Sequence, residues 1–431
     1  MRKLSEQEIE RLVSLLKEGK PLPEDYKSSL FDTKKEYELV YADKEREVDI
    51  LADTLAVPLQ RVKTFRNGED SNGWTNMLIF GDNLQVLKTL LQMKQEGKLK
   101  NADGTPGVRL VYIDPPFATR QEFRGSQDQK AYQDKIAGAR FLEFLRKRLV
   151  FLRELLSEDG SIYVHLDWRK DSHIRLLLDE IFDEKSFVNE IIWKKYSGIK
   201  NQALTKFTTQ TDTIFLYGKT EQYVFNQLFK EMTDKYIADE YKYVDNDGRK
   251  YALLRGRGYQ ERGEPRKKYL DEAKGTFITT LWDEEGLTLN TSSSERVSYP
   301  TQKPEALLNR IVKSSSNPGD LVLDCFAGSG TALAVAEKLG RRWVGVDCGK
   351  LAIYTMQKRL LNIVESKDLG NPNKKYGKPC QPFTLYNAGL YDYKKIKELP
   401  WEQYRDFALK LFQCRDDKHE ITKIELDCYL G

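Results

Sequence analysis

The sequence predicts an α/β fold with a mainly parallel sheet and helices on both of its faces. From residue 76 onward, short apolar runs alternate with longer amphipathic segments, which is the order expected of strands and helices around a parallel sheet. The alternation stops near residue 196 and resumes near residue 299, so we expect an inserted region within the core. Two sharp turns, one rich in proline and one rich in glycine, directly follow predicted strands.

Length and composition indicate a globular protein with accessory segments around a core of roughly 250 residues. The chain has 431 residues, of which 32 % are charged and 40 % hydrophobic. No apolar run approaches the ~20 residues of a membrane span, and the N-terminus lacks the apolar part of a signal peptide. We therefore expect a cytoplasmic protein with no membrane partner. Five cysteines and three histidines show no metal-ligand spacing, so we expect no metal.

The segment at 1–75 is predicted to be accessory, with helical and extended parts. Ser5 lies three residues before Glu8, which is a capping-box pattern, and apolar residues then recur at helical spacing. A charge-rich stretch at 31–73 ends in Gly and Asn residues that predict a loop. The first strand of the core is expected near Met77.

The core is predicted in two pieces, at 76–195 and 299–365. Its predicted strands are 77–80, 108–113, 161–166, 189–193, 320–324 and 342–347, and its clearest predicted helices are 137–156, 331–339 and 351–363. The inserted region at 196–298 contains only short predicted strands, such as 213–217. The segment at 366–431 is predicted to be a linker followed by an accessory part with one helix at 401–412.

The glycine-rich turn follows the strand predicted at 320–324. Gly328 and Gly330 allow the backbone to approach a ligand, and a helix that begins at Thr331 offers unpaired N–H groups and the positive end of its dipole. Asp347 ends the next predicted strand, where a carboxylate can accept the ribose hydroxyls of a nucleoside cofactor. The alternatives are glycines that only turn the chain and an Asp347 that only caps a helix.

The proline-rich turn, Asp114-Pro115-Pro116-Phe117, follows the strand predicted at 108–113. Two prolines fix φ and remove two N–H donors, which leaves a stiff turn with free carbonyls. Asp114 and the Pro115 carbonyl can accept the hydrogens of a base amino group, and Phe117 can stack on a base extruded from a duplex. The alternative is a proline turn with a helix-capping aspartate. Because ligands bind at the carboxyl ends of parallel strands, both turns are predicted to face one cleft.

These motifs resemble the amino-directed DNA methyltransferases, in the group whose DPP(Y/F) motif precedes the FxGxG cofactor motif. The resemblance runs from residue 76 to about 362 and includes GDNLQVL at 81–87, DGSIYVHLD at 159–167, EIIWKK at 190–195 and YPTQKPEALL at 299–308. It implies a Rossmann-like S-adenosylmethionine-dependent methyltransferase fold, with a target recognition region at 196–298. Phe117 stands where the family usually has tyrosine, so an aromatic face is retained without the hydroxyl.

The resemblance also implies which residues bind S-adenosylmethionine. They are Asp324, Phe326, Gly328, Gly330 and Thr331 around the methionine end and Asp347 at the ribose. The segment Thr301-Gln302-Lys303 resembles the remaining cofactor motif of the family, in which Lys303 would pair with the methionine carboxylate. Asp82 resembles the acidic residue near the adenosine half. The alternatives are a solvated surface lysine at Lys303 and a helix N-cap at Asp82.

A basic stretch that also contains tyrosines lies inside the predicted recognition region. Its basic residues are Arg249, Lys250, Arg255, Arg257, Arg262, Arg266, Lys267 and Lys268. This position favours salt-sensitive contact with DNA phosphates, whereas the alternative is a solvated charged surface. The net charge of +4 is too small to indicate nucleic-acid binding by itself.

The resemblance implies methyl transfer to adenine N6 of a flipped-out base, with no covalent enzyme intermediate. Cytosine N4 is the alternative acceptor, and Asp114 at the first motif position favours adenine. Double-stranded DNA is the expected partner, together with a second copy of the chain or a restriction or specificity subunit of a restriction-modification system. Methylation of a protein or RNA amino group is disfavoured by the motif order, and an inactive DNA-binding subunit is disfavoured by the intact motifs.

Overall fold

The computed structural model describes most of the chain. The described residues are 5–18, 38–66, 74–116, 122–124, 130–133, 138–196, 205, 207–254, 260–261, 264–289, 293, 295–297, 299–389, 391, 396–412, 414–415, 419–421, 424–426 and 429–430.

Helices and strands alternate along the described residues. The helices are α1 (Glu6–Lys17), α2 (Glu47–Asp53), α3 (Asn83–Gln95), α4 (Ala139–Leu155), α5 (Asp171–Phe182), α6 (Asp234–Glu240), α7 (Glu305–Ser314), α8 (Thr331–Lys338), α9 (Lys350–Leu361) and α10 (Trp401–Phe412). The strands up to the inserted region are β1 (Gln60–Phe65), β2 (Asn76–Phe80), β3 (Val108–Ile113), β4 (Glu122–Arg124), β5 (Lys130–Gln133), β6 (Leu156–Leu166) and β7 (Phe187–Lys194). Those of the inserted region are β8 (Thr211–Gly218), β9 (Phe229–Lys230), β10 (Tyr243–Val244), β11 (Lys250–Leu254), β12 (Gln260–Glu261), β13 (Glu264–Tyr269), β14 (Thr276–Phe277) and β15 (Leu281–Trp282). The remaining strands are β16 (Leu321–Asp324), β17 (Arg342–Asp347), β18 (Phe383–Asn387), β19 (Cys414–Arg415), β20 (His419–Ile421), β21 (Ile424–Leu426) and β22 (Tyr429–Leu430).

A sheet of ten strands forms the centre of the molecule. Its order is β1-β18-β2-β17-β16-β3-β6-β8-β7-β15. The neighbouring strands from β18 to β6 all run parallel. β1 is antiparallel to β18 at one edge, and β8 is antiparallel to both β6 and β7 near the other. The sheet is therefore mixed, with a parallel centre, and the predicted α/β class is confirmed.

Helices cover both faces of this sheet, which explains why its central strands are apolar throughout. All six residues of β3 are buried. Val111 and Ile113 pack into one core with α3, α4 and α5, whereas Leu110 and Tyr112 pack into a second core with α7, α8 and α9. A strand buried on both faces has no polar side, so it forms a continuous apolar run rather than an alternating one.

The sheet extends beyond the two core pieces predicted at 76–195 and 299–365. β1 comes from the predicted N-terminal accessory segment, β8 and β15 come from the inserted region, and β18 comes from the C-terminal segment. The predicted boundaries therefore differ from the limits of the sheet. The physical reason is visible in β1, which buries only Gln60 and so lacks the apolar run that identifies a central strand.

The inserted region also carries a separate sheet of four strands, in the order β10-β11-β13-β12. Helix α6 precedes it, and the short pair β9–β14 lies nearby in the sequence. Among the described residues, no helix is both long enough and apolar enough to span a membrane.

Candidate active site

Four neighbouring parallel strands end at the same edge of the sheet and bring four aspartates together there. The strands are β2, β17, β16 and β3, and the residues at or just beyond their carboxyl ends are Asp82, Asp347, Asp324 and Asp114. A cavity of about 540 Å³ opens at this edge and is lined by all four aspartates. Open α/β sheets bind ligands at this position, and the volume suits a small-molecule ligand. The proline-rich and glycine-rich turns thus face one cavity.

Asp324 is the most deeply buried of the four acids. Its relative exposure is 3 %, and its carboxylate accepts a hydrogen bond from the Phe326 N–H at 3.0 Å. Burial, with added repulsion from Asp114 and Asp347, raises the pKa of Asp324 well above its usual value. The Asp324 side chain fixes the first step of the glycine-rich turn, because it binds the backbone two residues ahead.

Asp347 ties the end of β17 to the same turn. Its carboxylate accepts N–H groups from Gly328 at 2.9 Å and from Gly349 at 2.7 Å. Burial raises the pKa of Asp347. Gly330, the N-cap of α8, has a φ of +71°, and a Cβ there would lie 2.6 Å from Cγ of Met356. The turn therefore requires glycine at this position for two reasons, its left-handed backbone and its contact with α9.

The proline-rich turn supplies an acceptor that has no partner among the described residues. Asp114, Pro115 and Pro116 line the cavity, and Oδ2 of Asp114 pairs with the Lys303 ammonium. Oδ1 of Asp114 is buried and accepts no hydrogen bond there. A buried carboxylate oxygen left in this way favours a ligand that brings an N–H donor. The predicted stacking residue Phe117 lies outside the described residues.

The segment at 301–303 joins the two halves of the cavity. Thr301 and Lys303 line it, whereas Gln302, predicted to bind the cofactor, does not. The Gln302 amide accepts the Val297 N–H and donates to the Glu295 carbonyl, each at 2.9 Å, so it braces the loop behind the cavity. Thr301 turns the chain at this point, because its backbone is left-handed with a φ of +61°.

Thr331 and Gly330 also have supporting positions. The Thr331 hydroxyl donates a hydrogen bond to the Lys303 carbonyl at 3.1 Å. The same hydroxyl accepts a hydrogen bond from Nη1 of Arg359 at 3.0 Å. Thr331 lines the cavity, but Gly330 does not and contributes through the shape of the turn. The other predicted residues, Phe326 and Gly328, lie in the cavity wall.

Asp82 caps a helix and also lines the cavity, and its contact with the cofactor stays a prediction. Its carboxylate accepts the Leu84 N–H at 2.8 Å at the start of α3. Arg148, which sequence reasoning misses, lies 3.5 Å from Asp82 and donates to the Asn83 side chain at 2.5 Å. Its guanidinium stacks 3.6 Å above the Phe144 ring. The available signal is an arginine four residues after Phe144, on the apolar face of the predicted helix.

A buried polar network begins behind the proline-rich turn, and sequence reasoning misses it as well. The Tyr112 hydroxyl lies 3.0 Å from Nδ1 of His165, and Nε2 of His165 lies 3.4 Å from Asp212, which pairs with Lys195 at 2.6 Å. Burial, followed by the positive charge of Lys303, lowers the pKa of His165, although Asp212 opposes the shift. The network connects β3, β6 and β8 next to the acidic cavity.

The predicted DNA-binding residues are not gathered on one face. Arg255, Arg257 and Arg262 lie outside the described residues. Arg249 pairs with Asp271 at 2.8 Å and with Glu272 at 2.7 Å, so two carboxylates already neutralise it. Contact between Arg249 and a DNA phosphate stays a prediction, and it would have to compete with these two ion pairs.

The remaining basic residues lie on β11 and β13, where alternation divides them between two faces. Lys267 pairs across the strands with Leu253 and lies on the same face as the paired Tyr251 and Tyr269. Arg266, Lys268 and Lys250 take the opposite parity. Consequently, the linear basic run separates into a tyrosine-bearing face with Lys267 and a second face with three cations.

The tyrosine face forms a continuous row. Tyr243 stacks on Tyr251 with ring centroids 5.5 Å apart, and Tyr251 contacts Tyr269 at 5.7 Å. The Lys267 ammonium lies 4.6 Å from the Tyr251 ring. An aromatic row beside a cation is an arrangement that single-stranded nucleic-acid sites use for stacking and charge.

The sequence matches a family of N6 and N4 methyltransferases described as DNA methylase, over residues 108–358. Type II methyltransferase M.EcaI of Enterobacter cloacae is 33 % identical over 324 residues, which cover 66 % of this chain and 69 % of that protein. The type III restriction-modification enzyme StyLTI Mod subunit of Salmonella typhimurium strain LT2 is 26 % identical over 373 residues. That match covers 68 % of this chain and 55 % of the subunit, so the chain spans little more than half of its length.

Solved structures give a weaker likeness. A crystal structure of M1.HpyAVI in complex with SAM matches with 20 % sequence identity and a TM-score of 0.39, over 66 % of this chain and 99 % of that one.

Proposed function

This chain belongs to the family of N6 and N4 DNA methylases, and we propose that it transfers a methyl group from S-adenosylmethionine to adenine N6 in DNA. The observation that carries the proposal is the cavity shared by the two turns, one of which offers carboxylate and carbonyl acceptors and the other a glycine-rich wall beside Asp324 and Asp347. Base-amine capture and cofactor binding need these two sets of groups side by side.

The cavity residues fit S-adenosylmethionine. Asp347 stands at a strand end, where a carboxylate suits ribose hydroxyls, and Gly328 leaves the backbone open to close approach. Asp82 and Arg148 offer a carboxylate and a stacked cation at the end of the cavity near α3. Lys303 offers an ammonium to the methionine carboxylate. When bound, S-adenosylmethionine supplies a methyl group made electrophilic by the sulfonium.

The proline-rich turn binds and orients the amino group of the base. Asp114, through Oδ1, and the carbonyl of Pro115 accept the two amino hydrogens, which turns the nitrogen lone pair toward the methyl group. Pro116 keeps the turn stiff. The resemblance assigns stacking on the base to Phe117, which lies outside the described residues. Asp114 receives the proton that the nitrogen loses once the nitrogen–carbon bond has formed and the carbon–sulfur bond has broken. Positioning and electrostatics provide the rate, without a covalent enzyme intermediate.

Cytosine N4 is the other acceptor that the family uses, and its amino group would engage the same oxygens. The aspartate at the first position of the motif supports adenine, because the resemblance associates this residue with adenine enzymes. Incubating the protein with DNA and labelled S-adenosylmethionine, followed by analysis of the modified nucleosides, decides between them. N6-methyladenine is the expected product, and N4-methylcytosine would replace the adenine assignment.

Asp114→Ala tests the catalytic role directly. The variant loses the carboxylate acceptor, so we expect methyl transfer to fall by at least about a thousandfold while cofactor binding, measured by calorimetry, persists. Asp53→Ala, at an exposed position of α2, is the matched control and should retain full activity. Substantial transfer by Asp114→Ala would contradict the role proposed for the turn.

The inserted region is proposed to contact double-stranded DNA through its tyrosine face and the cations of β11 and β13. Support comes from the aromatic row beside Lys267, and from the second face with Lys250, Arg266 and Lys268. The type III Mod relative suggests that the chain works in a restriction-modification system, with a second copy or a restriction or specificity subunit as its partner.

A further inference from the structure

We propose that Lys303 couples cofactor binding to base capture: its ammonium occupies Asp114 in the ligand-free cavity and moves to the cofactor carboxylate when the cofactor binds. The inference rests on the proposed function, and it adds a positioning role and an order of binding to it. Lys303 thereby links the cofactor side of the cavity, at the glycine-rich turn, to the base side, at the proline-rich turn.

The first observation is that Lys303 engages one oxygen of the carboxylate that we propose for base capture. Its Nζ pairs with Oδ2 of Asp114, and both side chains are largely buried, with 11 % and 19 % of their surface exposed. A lysine ammonium and an exocyclic amine are both N–H donors, so each competes for the same carboxylate. While the pair persists, Asp114 has only Oδ1 to offer to an incoming base.

The second observation is that the backbone of Lys303 belongs to the cofactor half of the cavity. Its carbonyl accepts the Thr331 hydroxyl at 3.1 Å, and Thr331 is the first residue of the helix that follows the glycine-rich turn. The Lys303 side chain therefore starts beside the proposed methionine site and ends at the proline-rich turn. A carboxylate bound near Thr331 would lie within reach of the same ammonium.

The third observation is that the movement needs only side-chain rotation. Gln302 binds the backbone of Glu295 and Val297, and Glu295 accepts the Glu305 N–H at 2.7 Å, so the segment that carries Lys303 is braced on both sides. A lysine side chain has several rotatable bonds and can redirect its charge without moving its Cα. Because the backbone is fixed, we expect the ammonium to occupy one of two separate positions, at Asp114 or at the cofactor carboxylate.

The consequence is an ordered sequence of binding. With the cofactor carboxylate present, Lys303 leaves Asp114, and the base amino group finds a fully available carboxylate. Without it, a captured base meets a carboxylate whose Oδ2 and negative charge are already engaged by Lys303, so Oδ1 accepts the amino hydrogen less strongly. Bases are thus held tightly only when a methyl donor is already in place.

Binding measurements with S-adenosylhomocysteine test this coupling without DNA and without catalysis. Asp114→Asn removes the charged carboxylate that pairs with the ammonium, so we expect S-adenosylhomocysteine to bind roughly three- to tenfold more tightly than to the wild type. Lys303→Met should weaken binding. In the double variant, Asp114→Asn should bring little further change relative to Lys303→Met alone, because its effect acts through the lysine.

Two controls separate this coupling from a general charge effect. The probe 5′-methylthioadenosine lacks the amino-acid group, so its affinity should be the same in the wild type and in Asp114→Asn. Asp82→Asn removes a carboxylate of the same cavity that pairs with Arg148, and its effect should not depend on whether Lys303→Met is also present. Thermal unfolding of each variant verifies that the fold is retained.

The outcomes distinguish the two proposals. Tighter binding in Asp114→Asn that disappears in the Lys303→Met background supports the coupling. Equal tightening in both backgrounds, or none, overturns it while leaving the proposed function intact. A wild-type protein that binds neither S-adenosylhomocysteine nor S-adenosylmethionine overturns the proposed function itself, and the coupling with it.

Discussion

At the scale of single residues, the four cavity aspartates differ through their neighbours. Asp82 caps a helix and lies beside Arg148, Asp347 binds two backbone N–H groups, and Asp324 is buried with a raised pKa. Asp114 alone among them is paired with a lysine ammonium within the described residues. The chemical type of the residue is the same in each case, so under the proposed function it is the surroundings that fit one carboxylate to the base and the others to the cofactor.

Gly330→Ala tests the shape of the glycine-rich turn. Its new Cβ would meet Cγ of Met356 at 2.6 Å, in addition to the cost of a side chain at a φ of +71°. We expect the free energy of unfolding to fall by about 2–4 kcal/mol, because overpacking adds to backbone strain. Urea unfolding measures the loss, and cofactor affinity should fall with it.

Gly340→Ala is the matched control for this variant. Gly340 has the same φ of +71°, but a Cβ there meets nothing within 4 Å. It should cost only about 1–2 kcal/mol, the penalty of the left-handed backbone. If the two variants lose equal stability, the contact with Met356 has no energetic weight.

The sequence predicted the location of site residues that follow a strand, but it did not predict contacts between residues that are far apart in the chain. Asp114, Asp324 and Asp347 follow apolar runs, so their common edge could be inferred from the pattern. The pairing of Lys303 with Asp114 joins residues 189 positions apart, and no local pattern encodes it. Gln302 hydrogen-bonds the backbone of Val297 and Glu295 rather than lining the cavity, which no local pattern indicates, and its role at the cofactor stays a prediction.

At the scale of elements, the sequence predicts where the central strands lie but not which strands pair antiparallel. The strands predicted at 108–113 and 342–347 have those bounds in the structure, since burial on both faces leaves an unbroken apolar run. β7 and β8 were also identified as strands, but their antiparallel pairing depends on which neighbour each one finds. The spacing of apolar residues indicates which faces of a strand are buried, but it does not indicate whether neighbouring strands run parallel or antiparallel.

Acid sensitivity is expected from His165, which lies in β6 between β3 and β8. Burial and Lys303 lower the pKa of His165 below its ordinary 6.5, so the folded protein binds fewer protons than the unfolded chain near that pH. Stability is therefore full above about pH 6.5 and declines as the pH falls through 6.5 toward the lower folded-state pKa. Urea midpoints measured from pH 7.5 down to 5.5 should show the decline.

His165→Gln removes this titration and should flatten the decline, even if the variant is less stable throughout. His173→Gln, at a half-buried position of α5, is the control and should keep the wild-type slope. An unchanged slope in His165→Gln would assign the acid sensitivity to other groups.

At the scale of the whole molecule, segments from both ends of the chain complete one sheet. β18 pairs in parallel with β2 and antiparallel with β1, so residues near 60 and near 385 are neighbours at the same edge. The segment at 366–431, predicted to be accessory, thus contributes to the main sheet. The sequence offers little sign of this, because a short strand near an edge resembles many other short apolar stretches.

Removing residues 377–431 should therefore abolish cooperative unfolding, because it exposes β2 and deprives β1 of its partner. Removing residues 396–431 is the control, since it retains β18 and loses α10, whose Phe407 packs against Tyr391 with ring centroids 4.9 Å apart. That shorter deletion should lower stability only modestly. Thermal unfolding by circular dichroism compares the two, and a cooperative transition in the longer deletion would refute the structural role of β18.

The order of strands around the cavity has a consequence for synthesis on the ribosome. β2 and β3 are consecutive in the chain, yet β17 and β16 lie between them in the sheet and are translated more than two hundred residues later. When translation has just passed Asp114, the chain consequently contains Asp82 and Asp114 of the cavity but not the two strands that lie between β2 and β3 in the sheet. S-adenosylmethionine, if it binds as proposed, can therefore stabilise only a chain whose translation has passed Asp347.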